Sequence, residues 1–234
     1  MATSGSGDRG GVKRHTDREF EAELRSLRDQ LLLMAGRVEG MISDAVRALE
    51  DGDAALARST IRVDREVNRA EIDTDELCLL ILAKRQPLGS DLRFITLALK
   101  MVTDLERIGD LAVNICERAV DLAREPRLGP YDDIRRAAAL AQSMVHDAID
   151  AFVERDAAKA QVVIERDDEV DEAYHQIFRS LLRTMTQDAT AVERGIHIQS
   201  VAKFLERIGD HCTNIAEQVV FMVKGTDIRH AGKL

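Results

Sequence analysis

The hexapeptide Leu105-Glu-Arg-Ile-Gly-Asp110 recurs unchanged as Leu205-Glu-Arg-Ile-Gly-Asp210, and this repeat decides the fold. Downstream, the same spacing of 100 residues relates four more identical pairs: Asn114/Asn214, Ile115/Ile215, Glu117/Glu217 and Val120/Val220. Upstream, a spacing of 103 residues relates a second set, which includes Met41/Met144, Asp53/Asp156, Asp64/Asp167 and Val67/Val170. Because six identical residues in a row seldom arise by chance, we interpret the chain as two copies of one unit.

Each copy is expected to be helical. The chain has only three prolines, and the long stretches between them are rich in Ala, Leu, Arg and Glu at helical spacing. Loops between the expected helices are short, which favours antiparallel packing. The sequence therefore predicts an all-α fold of two tandem three-helix bundles, six helices in total, related by internal pseudo-symmetry.

The boundaries follow from breaker and capping residues. Residues 1–15 are glycine-rich without an apolar period and predict a disordered tail, after which Thr16-Asp-Arg-Glu19 fits a capping box that begins the first helix. We predict a first bundle over 16–125, a linker around Pro126-Arg-Leu-Gly-Pro130, a second bundle over 130–225 and a C-terminal tail over 226–234. In the second bundle, one helix is expected from Asp156 to about Gln187, and Thr190-x-x-Glu193 is expected to cap the last helix.

The composition excludes several classes of protein. The 234 residues include 33 Lys and Arg against 42 Asp and Glu, a formal charge of −9, and no Trp, which argues against nucleic-acid binding. The longest apolar run, Leu77–Ala83, is far shorter than the ~20 residues of a membrane span, and the N-terminus does not resemble a signal peptide. Cys78, Cys116 and Cys212 lie far apart, which favours buried thiols over disulfides. We expect a soluble intracellular protein.

Two helices of the predicted fold each have an apolar face and, on the opposite side, a face of oxygen-bearing side chains. At about 100° per residue, Leu105, Ile108 and Ile115 share one arc and predict a core face. Oxygen-bearing side chains lie roughly opposite: Glu106, Asp110 and Asn114 in the first copy, and Glu206, Asp210 and Asn214 in the second. The preceding helix adds a row that begins with Asp64 and continues with Asn68, Glu71 and Asp75; its equivalent in the second copy begins with Asp167 and Asp171.

These stripes predict metal binding. Carboxylates four residues apart repel each other and destabilise a helix by a few tenths of a kcal/mol, so helix stability does not explain them. Binding of hard cations would explain these carboxylates, because oxygen ligands from successive turns of a helix point the same way. We predict that divalent or trivalent ions, single or in a multinuclear cluster, bind Glu106, Asp110, Asn114, Glu206, Asp210, Asn214, Asp64 and Asp167. Fe, Zn, Mn, Mg and Ca all remain open, and the alternative is a solvated helix face.

Other motifs carry less chemistry. Gly109 and Gly209 cost the helices roughly 1 kcal/mol each and predict a close approach of a neighbouring helix. Arg107 is expected to hold a neighbouring carboxylate rather than to bind phosphate. Glu172-Ala-Tyr-His175 is the only Glu-x-x-His in the chain, whereas a ferritin-like di-iron site needs two, and no P-loop or nucleophile elbow is present. The sequence therefore predicts that the protein is not an enzyme.

Three segments together are typical of one known family: Arg85-Gln-Pro-Leu-Gly-Ser-Asp-Leu-Arg93 and the two repeats Asp104–Ile115 and Leu205–Ile215. On these segments the chain resembles, over about residues 17–224, the PhoU family of phosphate-specific transport accessory proteins. The resemblance implies a pair of three-helix bundles with metal on the E(D)-x-x-x-D motifs Glu106/Asp110 and Glu206/Asp210.

The same resemblance implies a negative regulator of phosphate uptake and of the phosphate-starvation response. Such a protein would be a cytoplasmic homodimer that links the ATPase subunit of the phosphate ABC importer to a sensor histidine kinase. It would meet the membrane complex only peripherally.

The second copy departs from the family pattern. Thr190-Ala-Val-Glu-Arg-Gly195 stands where the first copy has the Gln-Pro…Ser-Asp-Leu-Arg connection, and Tyr174 and Phe178 replace the equivalents of Glu71 and Asp75. The second site is therefore expected to hold fewer ions or to bind them more weakly. A metal-dependent enzyme on a helical scaffold and a purely structural bundle remain as alternative functions.

Overall fold

The computed structural model describes the backbone of residues 10–129, 131–226 and 228, and side chains from Arg18 onward. Within these ranges the chain is all-α, as predicted, without a strand. The helices are α1 (Gly10–Asp51), α2 (Ala54–Arg85), α3 (Ser90–Leu122), α4 (Asp132–Glu154), α5 (Ala157–Glu165), α6 (Asp167–Gln187) and α7 (Val192–Lys224), with a 3-10 turn at Ala189–Ala191.

The helices form two bundles that pack side by side. Helices α1, α2 and α3 pack against one another, and α4, α5 and α6 pack around α7. The bundles meet where α3 packs against α7 and α1 against α4, whereas α2 does not contact α5 or α6. At this interface Asp104 Oδ1 lies 2.9 Å from His211 Nδ1, and Gln218 Nε2 donates to Asp104 Oδ2 at 3.2 Å. The predicted fold of two tandem three-helix bundles is confirmed.

The predicted apolar arcs form the core. Leu105, Ile108 and Ile115 of α3 and Ile208 and Ile215 of α7 are all fully buried. Each such side chain contributes roughly 1.5–3 kcal/mol when it leaves water, so these arcs hold the bundles together.

The three cysteines are free and buried, as predicted. Burial raises the pKa of the Cys78 and Cys116 thiols to about 12. Burial also raises the pKa of the Cys212 thiol. Because a protonated thiol is a poor nucleophile and a poor metal ligand, these residues serve packing.

Equivalent aspartates begin the second helix of each bundle. Asp53 Oδ1 accepts hydrogen bonds from the backbone N–H groups of Ala55 and Leu56, both at 2.9 Å. Asp156 Oδ1 accepts from Ala158 at 2.8 Å and from Lys159 at 3.1 Å. Such N-caps satisfy donors that the first turn of a helix leaves unpaired, so both copies begin this helix by the same means.

The prediction of one continuous helix from Asp156 to Gln187 is wrong, because the chain breaks at Arg166 between α5 and α6. The Arg166 guanidinium donates to Asp147 Oδ2 and to Ser143 Oγ of α4, both at 2.6 Å. The N–H of Glu169 bonds the carbonyl of Arg166, three residues back, at 3.0 Å, instead of continuing the α-helical pattern. The fifth of the six expected helices is thus divided at Arg166 into α5 and α6.

Two capping boxes were also predicted wrongly. Helix α1 begins at Gly10, so residues 10–15 of the predicted disordered tail are helical and Thr16 lies inside the helix. Once a helix is nucleated, each added residue contributes one more hydrogen bond, which explains why α1 begins before Thr16. Before the last helix, Asp188 caps the 3-10 turn Ala189–Ala191, because its Oδ1 accepts from the N–H of Thr190 at 2.9 Å. Helix α7 itself follows Ala191, which makes no side-chain cap hydrogen bond.

Most residues at the two ends of the chain are not among those that the structure describes. Residues 1–9 of the predicted N-terminal tail, and all of the predicted C-terminal tail except 226 and 228, lie outside the described residues. Helix α7 ends at Lys224, followed by Gly225 with φ 71°. Among the described helices, none combines the length and apolarity that crossing a bilayer would require.

Candidate metal-binding site

Two glycines bring the carboxylate rows of neighbouring helices together. A Cβ atom on Gly109 would lie 3.3 Å from Val67 Cγ1 and 3.9 Å from Asp64 Oδ1 of α2. A Cβ atom on Gly209 would lie 3.5 Å from both the Val170 Cβ atom and the Asp167 Oδ1 atom of α6. The predicted close approach is confirmed in both bundles, and it places Asp64 and Asp167 beside the acidic stripes of α3 and α7.

The first-half cluster consists of Asp64, Glu71 and Asp75 of α2 with Glu106 and Asp110 of α3. Burial, and then the Asp110 carboxylate, raise the pKa of Asp64. Burial, followed by Asp75, raises the pKa of Glu71. Burial, followed by Asp110, raises the pKa of Glu106, whose side chain is only 15% exposed. These carboxylates are close enough to repel one another across the two helices.

Several oxygens of this cluster, and that of the neighbouring Asn68 on α2, lack hydrogen-bond partners. Asp64 Oδ1, Asn68 Oδ1, Asp75 Oδ1 and Glu106 Oε2 are buried without one. A buried polar atom left unpaired costs about 1–3 kcal/mol. The exposed Arg107 guanidinium compensates in part, with Nη1 3.1 Å from Asp110 Oδ2 and Nε 3.4 Å from Glu106 Oε2. Arg107 thus holds carboxylates, as predicted, while Asp64 Oδ1, Asn68 Oδ1 and Asp75 Oδ1 have neither a hydrogen bond nor an ion pair with it.

The second-half cluster consists of Asp167 and Asp171 of α6 with Glu206 and Asp210 of α7. Burial, followed by the Asp210 and Asp171 carboxylates, raises the pKa of Asp167 to about 6. A lysine is part of this cluster, because Lys203 Nζ lies 2.5 Å from Glu206 Oε1. Among the four carboxylates, only Glu206 has a buried oxygen, Oε2, without a hydrogen-bond partner. The second-half cluster therefore has fewer buried carboxylate oxygens without a hydrogen bond than the first-half cluster, and each cluster contains one basic side chain.

The structure brings together six of the eight predicted ligands. Asp64 lies with Glu106 and Asp110. Asp167 lies with Asp210, which is one turn of α7 beyond Glu206. The remaining two are Asn114, which is half-buried one turn beyond Asp110, and Asn214, which is exposed. No interaction within the described residues joins either asparagine to a cluster.

The carboxylates are near each other but do not converge on one point. In the described part of the chain, no group of three His, Cys, Asp or Glu side chains is placed to coordinate an ion. The donor chemistry nevertheless fits a hard cation, since every candidate atom is an oxygen and several are buried and unpaired. Coordination of one ion by three of these carboxylates would therefore require their side chains to rotate.

Sequence reasoning missed one residue of the site. Lys203 lies within a carboxylate cluster, and its ammonium also lies 5.4 Å from the centre of the Tyr174 ring. The signal was available, because the equivalent positions in the first copy are Thr103 and Glu71. A comparison of the copies for differences, rather than identities, would have found it.

A known family model matches the chain twice, once in each copy of the duplicated unit. The family model described as the PhoU domain matches residues 31–119 and again residues 134–219. The chain belongs to the PhoU family. Its two matched segments lie in the two bundles, one within α1–α3 and the other within α4–α7.

Relatives match almost the whole chain. The phosphate-specific transport system accessory protein PhoU homolog of Pseudomonas aeruginosa is 44% identical over 221 residues, 93% of this chain and 90% of that protein. The Escherichia coli protein PhoU is 38% identical over 224 residues, 94% of this chain and 92% of that one.

Solved structures of PhoU proteins have the same fold. The crystal structure of PhoU from Pseudomonas aeruginosa has a TM-score of 0.85 at 43% identity, covering 88% of this chain and all of that one. The PhoU structure from Streptococcus pneumoniae has a TM-score of 0.83 at 27% identity and covers 89% of this chain and 98% of that one. The fold described above is therefore shared with both of these proteins.

Proposed function

We propose that this chain is the accessory protein of a phosphate-specific transport system and a negative regulator of phosphate uptake and of the phosphate-starvation response. The observation that carries this proposal is the match to proteins of that name over more than nine-tenths of the chain, at 44% and 38% identity. The Streptococcus pneumoniae structure, titled a phosphate transport system regulatory protein, supports the regulatory part.

The protein acts without catalysis, as an adaptor. It contacts the ATPase subunit of the phosphate importer and a sensor histidine kinase from the cytoplasm, at the inner face of the membrane, as a homodimer. Its acidic helical surfaces support a role in binding cations and partners, since long-range charge guides both kinds of encounter.

Metal binding is the second part of the proposal. Asp64, Glu106 and Asp110, helped by Glu71, would hold a hard cation in the first half. The buried unpaired oxygens and the mutual rise of the carboxylate pKa values support this assignment. A bound ion would supply positive charge that fixes these side chains in one arrangement. The α3 face would then present a defined surface to a partner.

A reporter for phosphate-starvation genes tests the regulatory role. Deletion of the gene should switch the reporter on in high phosphate, because the inhibitory signal from the importer to the kinase would have no carrier. Complementation with the wild-type gene should silence it again. A deletion strain that stays as quiet as wild type, with no second copy of such a gene present, would refute the regulatory role.

Metal stoichiometry tests the site. The purified full-length chain, loaded with Mn²⁺ and desalted, should retain more than one equivalent by elemental analysis. Glu106→Ala combined with Asp110→Ala should remove the first-half share. The matched control is Glu21→Ala with Asp29→Ala, which deletes one exposed Glu and one exposed Asp from α1. Equal stoichiometry in the two double variants would reject the assignment.

A further inference from the structure

We infer that the outward face of α2 binds the surface of an anionic lipid membrane, with its arginines on lipid phosphates and its exposed aliphatic side chains at the boundary of the acyl chains. The inference rests on the proposed function, which places the chain at the inner face of the membrane, and it names the surface that makes the contact. The occupant is the lipid itself.

The first half of α2 carries a row of exposed arginines. The row consists of Arg58, Arg62, Arg65 and Arg69. Their spacings of four, three and four residues place them within an arc of about 60° on the helix. Arg69 Nε lies 2.9 Å from Asp73 Oδ1. Within the described residues, no carboxylate forms an ion pair with Arg58, Arg62 or Arg65. The row therefore carries unpaired positive charge on a chain whose formal charge is −9.

Exposed aliphatic side chains continue this face toward the C-terminal end of α2. Ile72, Leu79 and Leu80 are 50%, 60% and 43% exposed. The helical period places all three on the arc of the arginines or within about 40° of it. Glu76 lies among them, but it is exposed and its carboxylate can turn toward water. Basic and exposed aliphatic side chains on one helix are typical of helices that lie in the interface of a membrane.

Within the described chain, no other helix covers this face. Helix α2 packs against α1 and α3 and contacts none of α4, α5, α6 and α7. Beside the arginine row, Leu33, Arg37 and Arg65 help to line an open groove of about 540 Å³ between α1 and α2. Arg37 Nε lies 3.3 Å from Glu66 Oε2, and the Glu66 side chain is 63% exposed, so this ion pair is weak and can open. The groove has the volume of a small-ligand site and can therefore admit a lipid head group.

The duplicated unit shows that the fold does not require a basic face here. The positions equivalent to the four arginines, at a spacing of 103 residues, carry exposed acidic or amide side chains: Gln161, Glu165, Asp168 and Glu172. Ile72 and Leu80 correspond to His175 and Arg183. The same face of the same bundle can thus be acidic and polar. The charge and the aliphatic side chains of α2 therefore reflect what this face contacts rather than how the bundle packs.

A membrane that contains acidic phospholipids matches both parts of the face. Lipid phosphates form charge-assisted hydrogen bonds with guanidinium groups, and the acyl boundary removes the aliphatic side chains from water. A nucleic acid or a purely acidic peptide would pair with the arginines and leave the aliphatic side chains in water. Each basic residue near an anionic surface strengthens binding roughly fivefold, so three unpaired arginines together contribute on the order of a hundredfold.

Sedimentation with vesicles tests the inference. The full-length chain is mixed, in EDTA so that no metal ion bridges the acidic clusters to the lipid, with vesicles of phosphatidylcholine and phosphatidylglycerol or of phosphatidylcholine alone. Wild type should bind the mixed vesicles and should bind phosphatidylcholine alone far more weakly. About 1 M NaCl should largely release it from the mixed vesicles, because salt screens the attraction.

Two triple variants separate this face from net charge. Arg58→Gln with Arg62→Gln and Arg65→Gln should lower the affinity for the mixed vesicles roughly a hundredfold. The control removes the same charge from exposed positions outside α2: Lys100→Gln, Arg124→Gln and Arg183→Gln. Its affinity should stay within about threefold of wild type, because these positions lie beyond the reach of screened charges. Circular dichroism checks that both variants fold.

The aliphatic part of the face has its own variant. Ile72→Gln with Leu79→Gln and Leu80→Gln should weaken binding roughly tenfold, and the binding that remains should be more sensitive to salt. Undiminished binding in this variant would overturn the inference.

Three further outcomes would also overturn it. One is a wild type that does not bind the mixed vesicles at low salt, and another is an arginine variant that binds as tightly as the control. The third is a wild type that binds polyglutamate but no vesicles, which would favour an acidic protein as the occupant. The vesicles contain neither importer nor kinase, so each of these results leaves the regulatory role standing, and the reporter strain tests that role separately.

Discussion

Replacement of Asp167 by Asn is expected to stabilise the metal-free protein near neutral pH but not in acid. Asp167 is half-buried at the start of α6. Burial, followed by the carboxylates of Asp210 on α7 and Asp171 on α6, raises its pKa from 3.8 to about 6. The folded protein therefore holds a proton on this carboxyl more tightly than the unfolded chain does, and it loses stability when the carboxyl ionises.

The shift sets the size of the effect. A rise from 3.8 to about 6 is worth at most about 3 kcal/mol. Because the group is half-exposed, solvent screening reduces this to about 1–2 kcal/mol. The penalty is absent below the unfolded-state pKa of 3.8, grows as the pH rises toward 6, and is complete above 6. Asn never ionises, so the Asp167→Asn protein avoids this penalty at every pH. At neutral pH the same substitution loses about 0.3–1 kcal/mol of attraction between a carboxylate and the N-terminus of α6.

The assay is urea denaturation in EDTA at about pH 7.5 and about pH 4, with the free energy of unfolding taken by linear extrapolation. Asp168→Asn is the matched control, since Asp168 lies next along the first turn of α6 and is exposed. Asp167→Asn should be about 1 kcal/mol more stable than wild type at the higher pH and equal to it at the lower. An Asp167→Asn protein no more stable than Asp168→Asn at the higher pH, or equally stabilised at both, would refute the reasoning.

Four further substitutions test the packing. Gly209→Ala should raise the free energy of unfolding by up to about 1 kcal/mol, because the new Cβ would meet its nearest neighbours at an ordinary 3.5 Å. Gly109→Ala should gain less stability, because its Cβ would lie 3.3 Å from the fully buried Val67. Urea denaturation measures both variants, and a larger gain for Gly109→Ala than for Gly209→Ala would contradict this expectation. Ile108→Asp and Ile208→Asp should each cost several kcal/mol, since both side chains are fully buried; a thermal midpoint close to wild type for either would show that its bundle tolerates a charge in the core.

The sequence alone was sufficient for the helical fold and for the faces of its helices. The identity of Leu105–Asp110 with Leu205–Asp210 revealed the duplication, and the helical period placed Ile108 and Ile208 in the core. The same period placed Glu106 and Asp110 on one face. These features depend on backbone geometry and on residues within a few turns, which a pattern read along the chain contains.

The break at Arg166 and the role of Lys203 required the tertiary structure. Arg166 ends α5 by bonding Asp147 and Ser143, about twenty residues earlier on α4. Such contacts cannot be derived from local propensity, because they depend on which helices become neighbours.

The burial and the pKa values of the carboxylates also required the tertiary structure. Spacing showed that Asp64 and Asp167 share an acidic row with later residues, but not which oxygens are buried or what faces them. Packing of α2 on α3 leaves Asp64 Oδ1 without a partner. Packing of α6 on α7 raises the pKa of Asp167 and seats Lys203 between Glu206 and Tyr174. Desolvation and the distance between charges arise only when separate helices meet, and for that reason two nearly identical sequence motifs differ in their chemistry.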